Sequence, residues 1–83
     1  MRTVHFEPQA LEDLRALTPS VAERVVAALN RYVQHEQADV RQLKGEGPPP
    51  RFRMRTGDWR VIFEQNPDSI RILRVLHRGR AYR

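Results

Sequence analysis

The sequence predicts an α+β fold: a mostly antiparallel, twisted sheet with a helical hairpin packed on one face, in the order β-α-α-β-β-β. Three observations predict it. Apolar residues recur at helical spacing from Ala10 to Val33. Residues 51–55 alternate strictly between arginine and an apolar side chain, the period of a strand with one buried face. Between these two regions, Lys44-Gly45-Glu46-Gly47-Pro48-Pro49-Pro50 holds too many breakers to belong to a helix or a strand. Helices followed by a run of strands imply a helical layer on a sheet.

Each element has its own signal. Thr3-Val4-His5-Phe6 is a short β run, with Val4 and Phe6 on one face, closed by Glu7-Pro8. Pro8 suits the first position of a helix, where its missing N–H would lack an intrahelical partner anyway. From Pro8 to about Leu17, residues Ala10, Leu11, Leu14 and Leu17 fall on one stripe, and Glu12 and Asp13 in the early turns suit the helix dipole. Thr18-Pro19-Ser20 breaks the chain, with Thr18 as N-cap and Pro19 opening a second helix that runs to Glu36. Its stripe is Val21, Val25, Ala28, Leu29, Tyr32 and Val33. Residues 38–43 read as a transition. Three strands follow, at 51–55, 59–64 and 70–77, separated by Thr56-Gly57-Asp58 and Gln65-Asn66-Pro67-Asp68-Ser69. Phe52, Met54, Val61, Phe63, Ile72 and Val75 are expected to face the helices. No internal repeat or linker divides the chain, so residues 1–83 are expected to form one domain. The proline run also resembles a ligand for proline-binding domains, but it is short and lies inside the domain.

Composition narrows the function classes. Cysteine is absent, which excludes disulfide frameworks, thiolate zinc sites and cysteine nucleophiles. The three histidines are scattered, so neither a metal nor another cofactor is expected. No phosphate-binding P-loop and no spaced Ser/His/Asp set is present. The N-terminus has no apolar signal region and no window is long enough to span a membrane, so a cytoplasmic location is expected.

Net charge is +5, from fourteen arginines and one lysine against ten acids. Residues 1–40 hold four arginines and six acids, a net of −2, whereas residues 41–83 hold eleven bases and four acids, a net of +7. A basic half of this kind is the electrostatic footprint of a polyanionic partner. If the apolar sheet face covers the helices, Arg51, Arg53, Arg55 and Arg60 project from the other face, and Arg78 and Arg80 follow the last strand. Guanidinium groups bind phosphate bidentately and stack on bases. Lys44 extends the basic set at the loop. Trp59 alternates against Arg60 and so belongs to the core or its edge. Tyr82 is either docked on the sheet or free to stack on a base. His77 is a candidate acid or base because imidazole titrates near neutrality. His5 and His35 have no such setting.

The stretch Leu43-Lys44-Gly45, followed by Arg53-Met54-Arg55-Thr56-Gly57-Asp58-Trp59-Arg60-Val61-Ile62-Phe63-Glu64, resembles the core motif of RelE/ParE toxins. Val75-Leu76-His77-Arg78 and Tyr82 resemble its closing signature, and the element order agrees along essentially the whole chain. The resemblance implies a toxin of a type II toxin-antitoxin system, paired with a cognate antitoxin in a hetero-oligomer. RelE-like members cleave mRNA in the ribosomal A site, by metal-independent attack of a 2′-hydroxyl on the adjacent phosphate. Carried over by position, Arg51 and Arg53 match basic strand residues of the active site, and Arg60 and Arg78 match arginines that stabilise the transition-state phosphate. Tyr82 matches a terminal tyrosine that stacks on the base or takes part in proton transfer.

Two departures stand out. Arg51 and Arg53 replace lysines of the best-known pattern, and arginine is a poor general base. Tyr82, His77 or Glu64 is then left for that role. The spacing from Arg78 to Tyr82 is also short. The resemblance favours a ribosome-dependent mRNA endoribonuclease. The alternatives are a ParE-like, non-nuclease inhibitor of DNA gyrase and a catalytically decayed RNA-binding module. A basic half-domain also suits an acidic antitoxin segment, one that covers the basic face or displaces the C-terminal tail.

Overall fold

A computed structural model describes residues 2–35, 37–45 and 49–79. The elements run β1 (Thr3–Phe6), α1 (Pro8–Arg15), α2 (Pro19–His35), β2 (Asp39–Gln42), β3 (Arg51–Thr56), β4 (Trp59–Gln65) and β5 (Ser69–His77). They build one five-stranded sheet in the order β1-β5-β4-β3-β2. β1 lies parallel to β5, and every other neighbouring pair is antiparallel. The α+β class therefore stands, with one strand more than expected. β2 occupies the stretch read as a transition. Val40 is its one apolar residue, too little for an alternating pattern, and it forms because β3 offers an open edge.

Both helices cover the same sheet face. Ala10 of α1 and Val25, Ala28, Leu29 and Tyr32 of α2 are buried against Met54, Val61, Phe63, Ile70, Ile72 and Val75 of the sheet. The Phe63 ring packs against Phe52 and Tyr32, each at 5.6 Å between centroids. The Tyr32 hydroxyl donates to Gln65 Oε1 at 2.9 Å, which satisfies the one polar atom this ring carries into the core. Pro8 opens α1 as expected, and the Thr18 carbonyl accepts from Ala22 N–H at 2.9 Å at the start of α2. The first turn of α1 holds no acid. Asp13 has a tertiary role instead, at the edge of β5.

That role depends on a β-bulge. Phe63 pairs with Ile72 and Ile62 with Arg74, so Leu73 has no partner on β4. Strict alternation would put Ile72 and Val75 on opposite faces. The extra residue resets the phase, and both point into the core. Beyond the end of β1, the Val75 N–H donates to Asp13 Oδ2 at 2.9 Å, and Arg74 Nε donates to the same oxygen at 2.9 Å. α1 is thus tied to the residues that follow the bulge.

Candidate nucleic-acid interface

The sheet face turned away from the helices carries the arginines. Arg53 of β3 pairs directly with Arg41 of β2, and Arg55 pairs directly with Arg60 of β4. Residues directly opposite in register share a face, so the four arginines form a staggered block across three strands, Arg41 on β2, Arg53 and Arg55 on β3 and Arg60 on β4. Like charges directly opposed across strands repel and cost stability. Only one described carboxylate offsets the block: Asp39 lies 3.8 Å from Arg53 Nη2 and 3.8 Å from Arg55 Nε.

Two members of the block are nearly buried. Arg53 is 3% exposed and Arg60 7%. Arg60 Nη1 folds back onto the β3–β4 turn and donates to the Gly57 carbonyl at 3.3 Å and the Trp59 carbonyl at 3.1 Å. Arg53 Nη1 and Arg60 Nε are buried without a hydrogen-bond partner. Buried polar groups in native proteins are nearly always satisfied, and an orphaned charged donor is among the costlier exceptions. The surroundings are less polar than the sequence suggests, since Ile62 and Leu76 share this face and Ile62 is buried beside Arg53.

The neighbouring cross-strand row is partly neutralised. Glu64 lies 3.7 Å from Arg51 Nε and 3.7 Å from Arg71 Nη1. Arg51 therefore belongs to the same face but shares its charge with Glu64. Arg78 is exposed. Its N–H donates to the Asp58 carbonyl at 2.7 Å and its Nη1 lies 3.8 Å from the Asp58 carboxylate, which fastens the end of β5 to the turn that holds Arg60. Lys44 is exposed just beyond β2, where the Leu43 N–H to Arg51 carbonyl bond of 2.8 Å extends the β2–β3 ladder. Arg80 and Tyr82 lie outside the described residues.

His77 corrects an expectation. It pairs with Trp59, and the two rings meet edge to face at 5.2 Å. Trp59 packs against the helix-side core, so His77 lies on that side, with the sheet between it and Arg53 and Arg60. The bulge is the cause: without the extra residue at Leu73, His77 would be on the arginine side. Of the proposed catalytic set, the structure brings Arg53 and Arg60 onto one face, leaves Arg78 at their border, and sets His77 against Trp59 on the other side.

A groove of ≈ 570 Å³ is lined by none of the four arginines of the block. Asp13, Leu17, Trp59, Arg74, His77 and Gly79 line it at the free edge of β5. Burial raises the Asp13 pKa, but hydrogen bonds from Arg74, the Val75 N–H and Gln9 outweigh it and hold the carboxyl below its usual value. The bond to Asp13 raises the Arg74 pKa in turn. This ion pair is already compensated, which makes it a structural tie and a poor anion receptor. Among the described residues, no cluster of His, Asp and Glu could hold a metal ion, and no helix is long and apolar enough to cross a membrane.

Sequence reasoning missed Arg41. The signal that could have found it is the triplet Val40-Arg41-Gln42, one apolar residue flanking a base, which becomes legible only once Val40 is known to face the core.

The family described as "ParE toxin of type II toxin-antitoxin system, parDE" matches residues 4–82. Solved structures agree. The archaeal RelE–RelB complex from Pyrococcus horikoshii is 31% identical, with 96% of this chain and 98% of that chain covered and a TM-score of 0.75. The toxin–antitoxin complex RelBE2 from Mycobacterium tuberculosis is 29% identical, covering 93% and 98%, with a TM-score of 0.78. The E. coli DinJ–YafQ complex, at 11% identity, 99% and 98% coverage and a TM-score of 0.78, shares the fold alone. Among curated proteins, none matches the sequence significantly.

Proposed function

The chain belongs to the RelE/ParE superfamily of type II toxin-antitoxin toxins, and from that premise we propose that it is a metal-independent endoribonuclease acting on mRNA at the ribosome, held inactive by a cognate antitoxin. The observation that carries this reading is the pair of nearly buried arginines, Arg53 and Arg60, each with an unsatisfied N–H on the sheet face away from the helices. In the reaction, a ribose 2′-hydroxyl attacks the adjacent phosphorus. A 2′,3′-cyclic phosphate forms, the bond to the 5′-oxygen breaks, and that oxygen leaves with a proton. Negative charge grows on the non-bridging oxygens. Preorganised guanidinium groups stabilise it at no cost of reorganisation, and the loss of one such donor typically slows a reaction by about 10²–10³. Arg60, fixed on two carbonyls, and Arg78, fixed to the same turn, suit that task. Tyr82 remains the candidate for stacking or proton transfer. The antitoxin is an acidic segment that covers the arginine block.

A second reading, a non-nuclease toxin that inhibits gyrase, draws support from one observation. Among the described residues, the carboxylates near the block are Glu64, Asp39 and Asp58, and each is already engaged by arginine. Induced expression in a bacterial host, with primer extension on a translated reporter mRNA, separates the readings. Cleavage within codons that disappears in Arg60→Ala and Tyr82→Ala is the expected result. Growth arrest without cleavage, accompanied by loss of supercoiling, would establish the gyrase reading instead. No arrest would leave a decayed RNA-binding module.

A further inference from the structure

We propose that the β2–β3 corner is a second phosphate site, which takes the phosphodiester next to the reactive one in single-stranded RNA, with Arg41 as its outer contact. The proposal rests on the ribonuclease reading and adds a residue that neither the family motif nor the basic strand pattern contains.

Three features of the corner argue for it. Arg41 is exposed and directly opposite Arg53, and among the described residues no carboxylate lies within ion-pair distance of it. Arg53 is almost wholly buried, so it supplies positive charge from the floor of the patch, while the exposed groups beside it are Arg41 and Arg55. An anion approaching this corner meets those two first. Finally, Asp39 touches both Arg53 and Arg55 only at 3.8 Å, longer than a charge-assisted hydrogen bond. It is half exposed and sits at the edge of the sheet. Asp39 therefore acts as a loose internal counterion that an incoming phosphate displaces, because the two non-bridging oxygens of a phosphodiester, sharing one negative charge, can approach the same guanidinium groups at hydrogen-bond distance.

The corner also has the right place. The Arg55–Arg60 pair joins it to the turn-anchored Arg60 through one β3–β4 register step, and adjacent strands lie about 4.8 Å apart. Arg60 on β4 and Arg41 on β2 are two strand spacings apart, about 9.6 Å, a span that neighbouring phosphates of an extended single strand cover with the reach of the long arginine side chains. The contact carries no base information: it fixes register and affinity.

The test is the salt dependence of binding. Fluorescence anisotropy of a short fluorescein-labelled oligouridylate is measured against salt for the whole protein. Each phosphate neutralised in single-stranded nucleic acid contributes about 0.7 to the slope of log K against log salt. Arg41→Gln is expected to weaken binding and flatten the slope by about 0.7. Arg41→Lys should restore the slope, and Asp39→Asn should tighten binding. Arg41 is an exposed edge residue, so these variants keep the fold, and far-UV circular dichroism verifies that. An unchanged slope in Arg41→Gln overturns the inference while leaving the ribonuclease reading intact. Wild-type protein that holds no RNA at low salt overturns the inference too. The ribonuclease reading is judged separately by primer extension, so the two can fail independently.

Discussion

The Asp13 carboxylate and the Arg74 guanidinium, 61 positions apart in sequence, meet at 2.9 Å, and the same carboxylate oxygen accepts the Val75 N–H. One side chain of the first helix therefore closes the free edge of β5 where β1 has ended and left a backbone donor unpaired. The Asp13 pKa is depressed: burial pushes it up, and the three hydrogen bonds push it down further. A carboxylate with a depressed folded pKa adds stability that is complete above its unfolded value, 3.8, and is lost as pH falls through the folded value. Asp13→Ala should destabilise the protein at neutral pH by about 1–3 kcal/mol, the cost of leaving a buried donor unsatisfied. Urea denaturation at neutral pH and in the acid range checks this, with the gap between variant and wild type closing on the acid side.

The bulge makes a second prediction. Leu73 is half-buried, so Leu73→Ala should be mild. Deleting Leu73 is a different matter. It restores strict alternation, and a one-residue shift sends Val75 to the arginine face and His77 off Trp59. The deletion variant should lose the cooperative thermal transition that the point variant retains, as differential scanning calorimetry would reveal.

Arg53 should trade stability against function. A buried guanidinium with an orphaned Nη1 is a poor stabilising element, and replacing such groups by apolar ones of similar size is often neutral or stabilising by about 1–4 kcal/mol. Arg53→Met should raise the midpoint of thermal unfolding, or leave it unchanged, and still lose RNA binding. A variant that unfolds below the wild type would show that Arg53 is fully compensated in the free protein.

Gly57 holds the turn that anchors Arg60. Its φ is +58°, and a Cβ there meets nothing within 4 Å, so a side chain would suffer only from backbone strain. Gly57→Ala should cost about 1–2 kcal/mol. If the strain also shifts the carbonyl that Arg60 grips, activity should fall more than stability does. Comparing unfolding free energy with the rate of reporter cleavage separates the two effects.

Much of this protein was determined by local sequence. The helix at 19–35 follows from its apolar stripe and from Pro19 at its start. The arginine face of β3 follows from strict alternation at 51–55, since a strand with one buried face leaves the other to polar side chains. The motif from Leu43 to Glu64 was enough to identify the superfamily, because its order of basic, turn and aromatic residues is carried by contiguous positions. What the tertiary structure decided depends on residues that meet only after folding. β2 exists because β3 has an edge to pair with, and nothing in Asp39-Val40-Arg41-Gln42 encodes a strand on its own. That pairing, a non-local event, set Arg41 against Arg53. The side of the sheet on which His77 emerges was decided by a single unpaired residue in β5, which the period-two rule cannot register from sequence. Which arginines lie exposed and which lie buried with an unsatisfied N–H was decided in the same way: burial depends on neighbours across strands, and a linear pattern records only neighbours along one.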